Sequence, residues 1–524
     1  MTSSWQSDFV AEADSWRARL GELGFSDDGD RLRGDLPWRH PVRGLVHARI
    51  EVELTARFPF TAPDVRVLDS GTSMQLTFHI DRPASLGVDG NLCLWDAATQ
   101  PVEFAPWREP QAFLDRVRGW LEQTAVRWPD DDVCDLERYL LRDVNTLVLY
   151  DADRLAGKAG LFKTAPGPTP RTIEVTEKRR PGVIAPRGPQ QLHSKDRGLA
   201  WVDDLGEVQS PPREWADVEH ALKRTGEVAR LIALGAVGYL LLRYSRNGHA
   251  AVLAVAVQRG VPTPTIRACE SADTSMATRS MRAGETAAEL ADVRIAVVGV
   301  GALGSFAADI LFRSGVRRLT LIDGERLRPG NVVRHLAGSD DVGNYKVMAV
   351  MSRLAATGFD VGKVKLQNQD LADLGEAVEL VKTNNVVLDA TAHARASSLL
   401  ATAANITGAG TGHTVISACV QREGDIIRAD RFPLRHGEQH LPALISDPIG
   451  AGMREAGCGE PVSRTPPAAV IAAADLACRM VIDQATRQCT LPASMADIRQ
   501  PQTEPPFDQL GLLTPTPVAY RTDR

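Results

Sequence analysis

The sequence predicts a multidomain chain, α+β toward its N-terminus and α/β toward its C-terminus, and three observations carry this. Its 524 residues leave room for roughly two to four domains. Up to about residue 160, alternating strand patterns are gathered between helical patterns. From about Glu289 the order becomes continuous apolar strand, glycine loop, helix and second strand, the pattern of a βαβ unit.

Trp5, Phe9, Val10, Ala13, Trp16 and Leu20 recur at helical spacing and predict a helix from about Ser4 to Leu23. Strands are expected at Leu45 to Leu54 and Val65 to Leu68, around the turn-rich Phe58-Pro59-Phe60-Thr61-Ala62-Pro63. Helices are expected at Pro110 to Arg127 and at about Asp132 to Leu149. The stretch from Thr164 to Gln191 carries Pro166, Pro168, Pro170, Pro181, Pro186 and Pro189 and reads as a semi-extended linker. A helix at Trp215 to Leu234 should follow, then a hairpin of Tyr239 to Tyr244 and Ala250 to Val257 about Asn247-Gly248. Val293 to Val298 reads as a buried strand, Ser305 to Ser314 as a helix and Arg318 to Ile322 as the next strand. The expected organisation is 1–160, a linker at 161–195, a small connecting subdomain at 196–285, the α/β domain at 286–500 and a proline-rich surface tail at 501–524.

Composition narrows the function. Apolar residues make up 44% and charged residues 24%, ordinary values for a folded globular chain. A net charge of −6 gives no support to nucleic-acid binding through bulk basic charge, and Lys178-Arg179-Arg180 is too short to change that. The first residues carry Asp8 and Glu12 and no apolar signal region, and Val228 to Leu242 is too short and polar for a membrane span, so a cytoplasmic location is expected. Seven cysteines without a Cys-x-x-Cys argue against a disulfide scaffold and a tetrahedral zinc site, leaving core or reactive thiols.

Gly299-Val300-Gly301-Ala302-Leu303-Gly304 is a G-x-G-x-x-G between a strand and a helix, and Asp323 ends the next strand. Glycines allow close backbone approach to a nucleotide, the helix offers free N–H groups, and an aspartate there can take ribose hydroxyls. That much equally suits an NAD-dependent oxidoreductase. Asp323-Gly324-Glu325, then Asn331-Val332-Val333-Arg334-His335, then Lys346, then Asp389-Ala390-Thr391 follow in order. Cations near a triphosphate can neutralise departing pyrophosphate, and a carboxylate can hold Mg2+, whereas hydride transfer requires neither. Over about residues 286 to 490 the chain resembles the ThiF and ubiquitin-activating enzyme superfamily, which implies a Rossmann-like adenylation domain using ATP and Mg2+. The resemblance implies ribose binding by Asp323, phosphate contacts from Asn331, Arg334 and Lys346, a catalytic part for Arg334, and metal binding by Asp389. The sequence departs at Arg334-His335, where many members have Arg-Gln, and at Ala392, where many have Asp.

Two cysteines stand in glycine-marked loops. Cys458 lies in Gly457-Cys458-Gly459 before the helical stretch Pro467 to Gln484, a setting that favours thiolate. It is similar to the catalytic-cysteine segment of bacterial activating enzymes fused to conjugating domains. Cys93 lies in Gly90-Asn91-Leu92-Cys93-Leu94. With Phe58-Pro59-Phe60, Pro63-Asp64-Val65, His79 and Trp107, residues 1 to 130 resemble a ubiquitin-conjugating domain. The family's His-Pro-Asn is absent here, since Ile80-Asp81 follow His79, and Asn91 or Asp89 is the expected substitute. Cys269 reads as incidental, and Cys419 and Cys478, in apolar runs, as core thiols.

The combined resemblance is to fused ubiquitin-transferase-like proteins of cyclic-oligonucleotide antiphage systems. It implies activation of a protein C-terminal carboxylate as an acyl-adenylate, a thioester on Cys458, transfer to Cys93 and ligation to a lysine. The activated protein would be a cGAS-like nucleotidyltransferase or a ubiquitin-like modifier, and the enzyme a homodimer acting on neither nucleic acid nor membrane. A sulfur-carrier adenylating enzyme with a docking-only N-terminal domain, the oxidoreductase, and a scaffold with a dead nucleotide site are the alternatives.

Overall fold

The computed structural model describes residues 4–29, 31–73, 78–80, 90–95, 104–179, 198–260, 262–408, 412–444 and 463–515. The chain divides into two compact units, Met1–Ser275 and Met276–Arg524. Among the described residues no helix is long and apolar enough to cross a membrane.

The first unit opens with the helix Ser4–Glu22 and an antiparallel sheet of β1 (Ser26–Asp27), β2 (Arg31–His40), β3 (Gly44–Glu53) and β4 (Asp64–Asp69), in that order. The helix Pro110–Ala125 buries Phe113, Leu114, Val117, Trp120 and Leu121, a single apolar stripe at helical spacing. Trp16 is fully buried on the first helix, its ring against Phe58 and Phe113 and its indole N–H donating to the Trp107 carbonyl at 2.9 Å. Trp107 in turn donates to the Pro59 carbonyl at 2.8 Å, so the aromatic core satisfies its own polar atoms.

The remainder of this unit is a closed seven-stranded barrel, which the sequence reading missed. Its strands are β5 (Arg142–Tyr150), β6 (Gly160–Pro166), β7 (Thr172–Lys178), β8 (Leu199–Glu207), β9 (Val237–Arg246), β10 (His249–Gln258) and β11 (Thr265–Asp273), in the order β10-β11-β5-β7-β6-β8-β9. The expected helix at 132–149 is instead the short turn Glu137–Tyr139 and β5, which pairs in parallel with β11 and β7. Its Val144, Thr146 and Val148 are β-branched, and tertiary pairing decides the conformation. The expected linker holds β6 and β7, with Pro166 ending β6, while 180–197 lie outside the described residues. The expected single helix at 215–234 is two, Trp215–Ala221 and Thr225–Leu234. Asn247-Gly248 turns the β9–β10 hairpin with both residues at positive φ, as expected of Asn-Gly.

The second unit is an eight-stranded sheet in the order β14-β13-β12-β15-β16-β17-β18-β19. Here β12 is Arg294–Val298, β13 Arg318–Ile322, β14 Lys365–Gln367, β15 Val386–Asp389, β16 Thr414–Gln421, β17 Ile426–Phe432, β18 Ser494–Ile498 and β19 Gly511–Leu513. The first five positions are parallel and the last three antiparallel. Helices Ala302–Arg313 and Pro467–Ala485 pack together, with Ala307, Ala308, Leu311, Ala473, Ala477 and Val481 buried in one core. The expected surface tail instead contributes β19 and the buried Phe507 to the sheet end. Order reverses at β12: β13 and β14 extend to one side, β15 and β16 to the other, which opens a crevice beyond the strands' C-terminal ends.

Candidate active site

A cavity of about 660 Å³ lies in that crevice. Its wall includes Gly299, Gly301, Asp323, Glu325, Arg334 and Lys346, together with Thr391, Ala392 and Cys419. Five positions expected to bind nucleotide therefore converge there.

The glycine loop has this shape for steric reasons. Gly299 sits at φ +80°, and a Cβ there would lie 2.8 Å from the Thr391 Cα. A Cβ on Gly304 would come 1.9 Å from the Gly299 carbonyl oxygen, so this glycine serves the close approach of helix to loop and does not line the cavity. Gly301, which precedes the helix Ala302–Arg313, faces the open space near the Lys346 ammonium. The helix start thus presents backbone N–H groups to an anion.

Asp323 is nearly buried and accepts from the N–H groups of Val300 and Glu325, both at 2.9 Å. Burial raises its carboxyl above the usual range, opposed by the Lys346 charge and these N–H groups. Lys346, the first residue of its helix, is buried and ion-paired to the exposed carboxylate of Glu325. His335 is braced behind the loop: its Nε2 faces the Val300 carbonyl at 2.9 Å and its Nδ1 accepts from the Ala337 N–H at 3.0 Å. These partners fix the neutral Nε2–H tautomer, and burial holds its pKa down. Sequence reading treated His335 as a departure and missed this loop-bracing contact.

Asn331 and Asp389 lie outside the cavity wall. Asn331 accepts from the Arg328 N–H at 3.1 Å within its turn. Asp389 is 1% exposed, and its carboxylate takes hydrogen bonds from the hydroxyls of Thr391 and Ser417, each at 2.7 Å, and from the Thr391 N–H. So arranged, the Asp389 side chain is engaged by its own strand-end neighbours behind the cavity wall. The carboxylate orders the turn of Thr391 and Ala392, the latter held at φ +51°.

Of the thiols, Cys419 differs from expectation: it is half-buried in the cavity wall, and burial pushes it up to about 11. Cys478 is a core thiol facing the Ala307 carbonyl, and Cys269 is buried in the barrel core. Cys458 and Asp89 lie outside the described residues. Cys93 is half-buried, with its N–H donating to the His79 carbonyl at 2.8 Å. The side-chain oxygen of Asn91 accepts from Arg66 at 2.9 Å.

Residues 274–433 match the ThiF family. The chain is similar to the ATP-dependent ubiquitin transferase-like protein Cap2 of Escherichia coli (strain TW11681), 25% identical over 31% of this chain and 28% of that one. It is also similar to ubiquitin-like modifier-activating enzyme 5 of Oryza sativa subsp. japonica, 35% identical over 16% of this chain and 20% of that one. The chain thus spans well under half the length of these curated relatives. A solved structure of E. coli MccB overlaps loosely, with a TM-score of 0.34 and 16% identity over 44% of this chain and 65% of that one. The match over 274–433 establishes that this chain contains a ThiF-family domain.

Proposed function

We propose that the chain uses ATP to activate the C-terminal carboxylate of a protein and passes the acyl group through two cysteines to an amine. The observation that carries this is the convergence of Arg334 and Lys346 with the glycine loop and Asp323 around one cavity. Gly301 and the helix start receive phosphate, Asp323 takes ribose hydroxyls, and Lys346 leaves Glu325 to meet the triphosphate. The carboxylate oxygen attacks the α-phosphorus, the bond to the β-phosphate bridge breaks, and pyrophosphate leaves as Arg334 and Lys346 offset its charge. Hydride transfer gives these two cations no task, which disfavours the oxidoreductase.

Cys458 then attacks the acyl carbon as thiolate, releasing AMP and forming a thioester. Cys93 takes the acyl group by thiol exchange, and a lysine amine of the target displaces it as an amide. On this reading residues 1–130 are a conjugating-type domain, supported by the antiparallel sheet, its flanking helices and the half-buried Cys93. The activated protein is a cGAS-like nucleotidyltransferase in antiphage defence, with a ubiquitin-like modifier as the alternative, and the enzyme acts as a cytoplasmic homodimer.

Exchange of labelled pyrophosphate into ATP, run with each candidate protein and with its C-terminally truncated form, tests the activation step. Exchange that requires the intact C-terminus is expected. NAD binding without exchange would favour the oxidoreductase, and exchange with no reductant-sensitive adduct would favour a sulfur-carrier type of adenylating enzyme.

A further inference from the structure

The barrel has no role in the chemistry above, yet its β9–β10 hairpin reaches the segment that holds His79 and Cys93 through polar contacts, one of them the buried pair Arg246–Asp131. Arg246, which ends β9, is 4% exposed and ion-paired with Asp131. Its Nη1 donates to the Val133 carbonyl at 2.7 Å, and its guanidinium lies 3.7 Å from the centre of the Phe78 ring. The next residue, Asn247, donates from one side-chain nitrogen to the carbonyls of Trp128 and Asp131, both at 2.9 Å. Four polar contacts from two hairpin residues therefore fix the 128–133 segment.

That segment in turn fixes His79. Asp131 Oδ2 lies 2.6 Å from His79 Nε2, and the Trp128 ring lies against the imidazole, 4.2 Å between centres. His79 is held at φ +56°, a conformation costly for a non-glycine residue unless its surroundings impose it. Its N–H donates to the Tyr139 hydroxyl at 2.8 Å. Its carbonyl receives the Trp120 indole N–H at 3.0 Å and the Cys93 N–H at 2.8 Å. The path from Arg246 through Asp131 and His79 to the Cys93 backbone is thus continuous, and each link is a short contact between groups mostly removed from water. Removing Arg246 would leave the Asp131 carboxylate without its buried cation, so its loss should loosen the segment that holds His79.

We propose that Arg246 is a positioning residue for Cys93, and that the barrel's hairpin supplies support to an active-site segment whose sequence lacks His-Pro-Asn. This rests on the reading of Cys93 as the second acyl carrier. The hairpin acts through the His79 backbone and contributes no atom to the reacting thioester.

The test compares the full-length wild type with Arg246→Ala, Arg246→Lys and Asn247→Ala. Iodoacetamide alkylation of Cys93, followed by mass spectrometry of its peptide, reads positioning whether or not any enzymatic step occurs. Arg246→Ala should speed alkylation about 10-fold by releasing the half-buried segment, as expected for a local opening made easier. Arg246→Lys, which keeps the charge beside Asp131, should recover part of that change at a comparable unfolding temperature. An unchanged rate in Arg246→Ala overturns the proposal, as does a change that simply follows unfolding temperature across the variants. In the same samples, pyrophosphate exchange should stay at the wild-type level while the Cys93 adduct diminishes in Arg246→Ala. A wild type that forms no Cys93 adduct would instead remove the acyl-carrier reading, leaving the alkylation result to decide positioning.

Discussion

Lys346 and Asp389 stand close in the motif order yet do different things in the structure. Lys346 borders the cavity beside Gly301, so Lys346→Ala should lower pyrophosphate exchange by about 100-fold, the scale of losing a charge-stabilising donor. A loss below a few-fold would remove Lys346 from the phosphate site. Cys419 offers a readout needing no partner protein: it lines the cavity, so ATP should protect it from slow alkylation at alkaline pH while core Cys478 stays unlabelled throughout. Equal labelling of Cys419 with and without ATP would place the nucleotide elsewhere. His335 adds a pH signature. Burial lowers its pKa below the ordinary 6.5; the Lys346 charge lowers it further, while the Val300 contact and Asp341 partly oppose. The unfolded chain takes the proton near 6.5 and the folded chain resists it, so this contribution is complete above that value and lost as pH falls toward the depressed one. His335→Gln should therefore flatten the fall in unfolding temperature between about pH 7.5 and about pH 5.5; an unchanged slope would mean that His335 does not carry it.

Elements were legible where a local signal agreed with the tertiary environment. The strand Arg318–Ile322 follows from its place after the glycine loop and helix in a βαβ unit, and the β9–β10 hairpin from Asn247-Gly248. The barrel was not legible, because Pro166, Pro168 and Pro170 fall at the end of β6 and in the β6–β7 turn, where proline is tolerated, and so mimicked a linker. β5 failed for another reason: its parallel partner β11 lies far away in sequence and β7 lies beyond the intervening β6, and no local pattern announces them. The C-terminal segment makes a direct prediction at this scale. Phe507 is 2% exposed beside Leu441, Ile426 and Ile498, so Phe507→Ala should cost about 3–5 kcal/mol and lower the unfolding temperature. A surface tail would show no change.

At the scale of the molecule, the lining of the candidate cavity was legible at Gly299, Gly301, Asp323, Arg334 and Lys346, because each belongs to a motif whose chemistry constrains residue type and order. Asp389 and Asn331 show the limit: the motif locates them in sequence, but hydrogen bonds to Ser417, Thr391 and the Arg328 N–H decide what their side chains face. The division into Met1–Ser275 and Met276–Arg524 separates Cys93 from the ThiF-family domain. Expressed alone, residues 276–524 should keep pyrophosphate exchange and a Cys458 adduct while losing transfer to Cys93. Most direct is a gel of the full chain with Mg-ATP and the candidate protein, with and without reductant, for wild type, Cys93→Ala, Cys458→Ala and the double variant. The account predicts a reductant-sensitive adduct in wild type and in Cys93→Ala, and none in Cys458→Ala. An adduct that persists in the double variant would contradict it.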